Sequence, residues 1–140
     1  MFRYLVICAA FALAINSAVA KADEYPNLIG VWTESSSLGG ARFGDGDHDT
    51  DEKNPVFISG SITWTLTIEK QDRAGLIGTW SSQNKTEKLV GVIRRDKVTL
   101  LFSDEDNQFE ASLISENEME LCAHDSDDYA LAACHIMKRQ

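Results

Sequence analysis

Glu118-Met119-Glu120-Leu121-Cys122-Ala123-His124 is the stretch on which the fold turns, because its side chains alternate and it holds a cysteine with a partner further on. Period-two alternation puts Glu118, Glu120 and Cys122 on one face of a strand and Met119, Leu121 and Ala123 on the other. The acidic turn Asp125 to Asp128 leads into a second strand, Tyr129 to Arg139, which carries Cys134. Pairing Cys122 with Cys134 as a disulfide across antiparallel neighbours sets the register of both strands. It places Glu118 against Lys138, Met119 against Met137, Leu121 against His135 and Ala123 against Ala133. The opposite charges, which form a salt bridge in this reading, mark the cysteine face as the outside. The apolar pairs mark the inside, with Arg139 at the inner end of the last strand.

Six further strands precede this hairpin. They are Leu28 to Thr33, Ser61 to Lys70, Leu76 to Trp80, Lys88 to Arg94, Lys97 to Ser103 and Gln108 to Ile114. Between them lie turns such as Gln71 to Gly75, Arg95-Asp96 and Ser115 to Asn117, and no stretch sustains a helical period. Eight short strands joined mostly by tight turns predict an all-β fold, an antiparallel up-and-down meander that closes into a barrel and so removes its edges. The expected inward set is Ile62, Leu66, Ile68, Val98, Leu100, Phe102, Phe109, Leu113, Met119, Leu121 and Met137. This set is bulky, so any cavity should be small.

Residues 1–20 carry Arg3, an apolar run from Tyr4 to Ile15 and a small-residue end, Ala18-Val19-Ala20. This is the pattern of a secretory signal peptide, and the apolar run is shorter than the roughly 20 residues a bilayer span needs. Cleavage after Ala20 leaves residues 21–140 as a single domain, periplasmic or secreted. It also removes Cys8, so the exported chain keeps an even pair of cysteines, for which an oxidising compartment favours a disulfide. The formal net charge goes from −9 to −10, because Arg3 is the only charged side chain removed. An acidic surface with no basic cluster excludes nucleic acid and anionic membrane as partners.

From Glu34 to Asn54 the apolar pattern lapses into Ser, Gly and Asp, which reads as a long acidic loop, 34–54. Loops of this length in small domains tend to be functional. Asp45, Asp47, Asp49 and Asp51 alternate within it, either as an oxygen-rich Ca²⁺ site or as a solvated acidic run. The EF-hand spacing of Gly and Glu is missing, so no metal is assigned.

Gly30-Val31-Trp32 near the mature N-terminus, followed by the meander and an inward basic residue on the last strand, resembles the calycin superfamily. In lipocalins and avidins the tryptophan of the first strand packs at one end of the barrel, and in lipocalins a basic residue covers it. The resemblance gives these structural roles to Trp32 and Arg139. Leu76-Ile77-Gly78-Thr79-Trp80 looks like the third avidin strand, but the polar constellation that contacts biotin has no match here. The acidic loop falls where lipocalins place their lid.

Trp64 and Trp80, on adjacent strands, either line a ligand site or fill a narrow core. His135 either orients a ligand or is a satisfied core residue. Asn84-Lys85-Thr86 is a glycosylation sequon in the turn after Trp80. No nucleophile elbow, metalloprotease helix or phosphate loop occurs, so the chain is read as a non-enzyme without a cofactor. The expected function is binding of a small, largely apolar molecule at the open end through Trp64, Trp80 and His135. The alternative is a protein-interaction module, such as an inhibitor of a secreted enzyme, acting through its loops.

Overall fold

The computed structural model describes residues 24–44, 55–58, 62–125 and 129–140. The leader, residues 1–20, and the carboxylates Asp45, Asp47, Asp49 and Asp51 lie outside them. The strands are β1 (Gly30–Gly44), β2 (Val56–Ile58), β3 (Thr65–Asp72), β4 (Gly75–Ser81), β5 (Thr86–Ile93), β6 (Thr99–Ser103), β7 (Gln108–Ser115), β8 (Glu118–Asp125) and β9 (Tyr129–Arg139). No helix occurs among the described residues. β1 and β3 to β9 pair in order, all antiparallel, and β9 returns to β1, which closes an eight-stranded up-and-down barrel. Closure satisfies the edge hydrogen bonds that an open meander would leave exposed.

The last hairpin has the register expected of it. Cys122 lies opposite Cys134 and the two form a disulfide, Met119 faces Met137, and Leu121 faces His135. Glu118 and Lys138 are opposite one another, yet no ion pair joins them among the described residues. The expected salt bridge is absent because an exposed lysine gains as much from water as from a single surface carboxylate.

β1 corrects the expected loop. Residues 34–44 do not leave the sheet but continue the first strand, against β9 on one side and, from Gly40 to Arg42, against β2 on the other. Two register shifts against β9, between Glu34 and Ser36 and between Ser37 and Gly39, explain why alternation fails in the sequence. Each bulge inserts a residue and flips the facing of the residues beyond it, so the run reads as patternless although its backbone is paired. β2, which has no counterpart among the strands expected from the sequence, is a continuation of β3. The pairs Gly30–Ile68 and Arg42–Val56 obey one register, a step of twelve residues along β1 matched by twelve back along its neighbour.

Inward positions of the strands bury Leu66, Leu100, Met119, Leu121 and Met137 almost completely. Each such side chain contributes about 1.5 to 3 kcal/mol relative to exposure. Gly91 makes room for one of the inward rings, since a Cβ there would lie 2.3 Å from the ring of Phe102 on the neighbouring strand. Ile62 and Val98, expected inside, are about half exposed, at 50% and 46%. Both fall outside strands, Ile62 ahead of β3 and Val98 in the turn before β6, so the alternation that orients a side chain has not begun.

One end of the barrel, the base, is sealed by residues 25–28. Trp32 Nε1–H donates to the Leu28 carbonyl (3.1 Å), and the Leu28 N–H donates to Gln71 Oε1 (2.9 Å). Gln71 Nε2–H in turn donates to the Pro26 carbonyl (2.9 Å), which pins the lead-in across the opening. Arg139 lies over the Trp32 ring, 5.3 Å from its centroid, and donates to the carbonyls of Asn27 and Ile29. Gly30 passes beside this guanidinium with φ +147°, where a Cβ would lie 3.1 Å from Arg139 Nε. The glycine and tryptophan of Gly30-Val31-Trp32 therefore serve one contact.

Candidate functional site

The other end, the mouth, is where β1 keeps climbing beyond its pairing with β3. Alternation from Trp32 brings Glu34 to the interior, opposite the inward Met137 of β9. Its side chain is only 9% exposed and that of His135 10%. His135 Nδ1–H donates to Glu34 Oε1 (3.0 Å), and the Trp64 backbone N–H donates to Glu34 Oε2 (3.1 Å). The Glu34 N–H donates back to the Trp64 carbonyl (2.9 Å), so residue 64 is anchored although it precedes β3. A buried carboxylate is tolerable only when its oxygens are partnered in this way.

Trp64 stacks on Trp80 of β4, with ring centroids 5.0 Å apart and planes 8° from parallel. Trp80 meets Phe109 of β7 at 5.3 Å and 56°, a tilted contact. Trp80 and Phe109 are buried, whereas Trp64 is only half-buried and forms the outer layer of the stack. Glu87 of β5 lies opposite Trp80 and is held by Lys85 Nζ at 2.6 Å, which also reaches Asp106 Oδ2 at 3.6 Å. The hydrogen bond to Glu87, first among its causes, raises the Lys85 pKa above the ordinary lysine value. Lys85 thereby ties the β4–β5 turn to the β6–β7 turn at the rim.

The structure thus brings together the three residues singled out as ligand contacts, Trp64, Trp80 and His135. It adds Glu34 and Glu87, which sequence reasoning misses. Glu34 has a signal, because it stands two residues after the inward Trp32, but the apolar pattern ends the strand at Thr33. Trp32 and Arg139 lie at the opposite end, beside a groove of about 430 Å³ lined by Pro26, Leu28, Val98, Leu113 and Ile114 among others. Glu120, Cys122 and Cys134 are near enough for a metal, but the disulfide removes both thiolates as ligands.

Chemically, Glu34 holds the imidazole of His135 by Nδ1 and so fixes the direction in which Nε2 points. Such a fixed ring can donate to, or accept from, a group placed beside the indoles. Ser37 faces His135 across β1 and β9, yet its Oγ accepts from the Gly39 N–H (3.3 Å) and makes no hydrogen bond to His135. Comparison of the chain with protein-family models, curated proteins and solved structures finds no match.

Proposed function

We propose that the protein is an exported, calycin-like barrel that binds a small, largely apolar molecule at its mouth. Trp64 and Trp80 would provide the flat apolar surface, and His135, held by Glu34, the single polar contact. The observation that carries this reading is the buried Glu34–His135 pair. A buried ion or imidazole pair is seldom the most stable filling of a core, and an apolar pair of similar volume usually serves stability as well or better. Placing one beside a half-exposed indole makes sense if it recognises something. The leader and the disulfide support export together, since the bond persists in oxidising compartments.

A titration with N-phenyl-1-naphthylamine, a neutral aromatic probe, tests the reading. Saturable fluorescence enhancement with quenching of tryptophan emission is expected, weakened about tenfold by Trp64→Ala, a loss of about 1.4 kcal/mol. Non-saturable enhancement, or a Trp64→Ala variant that binds as well as the parent, would count against it.

One observation favours the second reading, a protein-interaction module. Phe57 on β2 is 94% exposed and Phe43 on β1 is 50% exposed, both where the strands extend past the mouth. Exposed aromatics beside short edge strands are common contact points for partner proteins. Under this reading Phe57→Ser would abolish binding to the partner while leaving probe binding unchanged.

A further inference from the structure

The outer wall carries chemistry of its own where β8 and β9 pair. Along β8, Glu120 and Cys122 stand two residues apart and so share a face, and Cys134 lies directly opposite Cys122 on β9. That face is the outward one, because the alternate positions Met119 and Leu121 are buried while Glu120, Cys122 and Cys134 are only half-buried. A carboxylate oxygen and two sulfurs converge here within 4.8 Å of one another, and Glu120 Oε1 lies 3.7 Å from Cys122 Sγ. The residues set against them across the neighbouring strands are Ser112 and Ile136 for Glu120, Glu110 for Cys122 and Gly39 for Cys134. None of these is a cation, and Glu110 adds a second negative charge beside the sulfurs.

We propose that reduction of the Cys122–Cys134 bond turns this patch into a site for one thiophilic divalent cation, zinc above all, held by both thiolates and by Glu120. A dithiol carries out the reduction by thiol–disulfide exchange. Its two sulfurs give up two electrons and become a disulfide, the Cys122–Cys134 bond breaks, and the two protons of the dithiol pass to the freed sulfurs. The entering cation then displaces those protons to solvent. Once unbonded, the sulfurs part to contact distance, about 3.8 Å, which is also the spacing of two thiolates around a zinc ion with bonds of about 2.3 Å. The Glu120 oxygen already stands at a comparable distance from Cys122 Sγ. Two thiolates with one carboxylate favour zinc over magnesium and calcium, which take oxygen donors. Three protein ligands leave the fourth tetrahedral position to water on the solvent side. Oxidation by a second disulfide reverses the exchange and releases the ion, so the site exists only in the reduced chain. It lies on the outer wall, where a dithiol reaches the sulfurs from solvent, and does not depend on binding at the mouth.

Titration of the full exported chain with Co²⁺, with and without a phosphine reductant that offers no thiol of its own, tests the proposal. The reduced chain should bind one ion with a thiolate-to-cobalt charge-transfer band that Zn²⁺ bleaches, and should keep the near-ultraviolet circular dichroism of its stacked tryptophans. The oxidised chain should show no such band. Glu120→Gln, at a half-buried position on the outer face, should weaken zinc binding to the reduced chain about tenfold or more while leaving the dichroism unchanged. Absence of the band from the reduced chain, or its appearance only once the dichroism has collapsed, would overturn the proposal. So would equal binding by the oxidised and reduced forms, or a Glu120→Gln variant that holds zinc as tightly as the parent.

Discussion

The base and the mouth of this barrel are built from the same strands and solve opposite problems. At the base the polar groups of Trp32, Gln71 and Arg139 are spent on the chain itself: Trp32 on Leu28, Gln71 on Pro26 and Leu28, Arg139 on Asn27, Ile29 and the indole. At the mouth a carboxylate and an imidazole are buried together beside an aromatic stack whose outer ring is half open. The base is arranged for closure. The mouth buries its polar pair beneath a ring that is still partly open, and the two ends should respond differently to the same kind of substitution.

The largest difference is expected for the tryptophans. Trp32→Ala should lower the free energy of unfolding by about 3 to 5 kcal/mol, because a fully buried indole leaves a cavity with no means of collapse. Trp64→Ala, half-buried, should lower it by no more than about 2 kcal/mol in the same urea titrations. Equal losses would erase the distinction between the ends.

Breaking the buried pair comes next. His135→Leu alone should cost about 3 kcal/mol in urea unfolding, since it leaves the Glu34 carboxylate buried with only the Trp64 N–H as partner. Reduction of the Cys122–Cys134 bond should cost a similar amount, about 3 kcal/mol by the chain-entropy expectation for a short loop. A melt with and without reductant measures it, and a change confined to β8 and β9 by hydrogen exchange would sharpen the picture of the barrel wall.

At the base, Arg139→Ala should lower stability by about 0.5 to 2 kcal/mol through the lost contact with Trp32. Lys138→Ala, without an ion pair to lose, should change it by less than about 0.5 kcal/mol. The smallest effect belongs to the β5–β6 turn, where Asp96 accepts from the backbone N–H groups of Thr99 and Val98 and from the Thr99 hydroxyl. The Thr99 backbone bond leads in lowering its pKa from 3.8 to about 2. Because the folded value lies below the unfolded one, the stabilisation is fully present above pH 3.8 and fades as pH falls toward about 2. Carboxyl NMR should show this titration, and Asp96→Asn should remove that part of the acid dependence.

Much of the base is legible in the sequence and much of the mouth is not, for physical reasons. Strands that alternate cleanly, such as Glu118 to His124, announce their facing, and the cysteine pair then sets β8 against β9 residue by residue. Glu34 to Gly44 carries two bulges, and a bulge destroys the period by which a strand is recognised. β2 is three residues long, too short for a period of its own, and is held by its register with β1. Missing the continuation of β1 hides Glu34, and with it the partner that makes His135 more than an isolated core histidine. Trp64 and Trp80 are legible as neighbours, but not as a stack, since alternation provides a facing and not a ring angle.

The most direct test is the paired substitution Glu34→Leu with His135→Leu, followed by urea unfolding and titration with N-phenyl-1-naphthylamine. If the pair exists for recognition, the double variant should unfold within about 1 kcal/mol of the parent, the remaining cost being the Trp64 N–H left without an acceptor. Its probe affinity should fall about tenfold or more. A double variant destabilised by the sum of the two single losses, with probe affinity unchanged, would make the pair a structural element and contradict a binding site at the mouth.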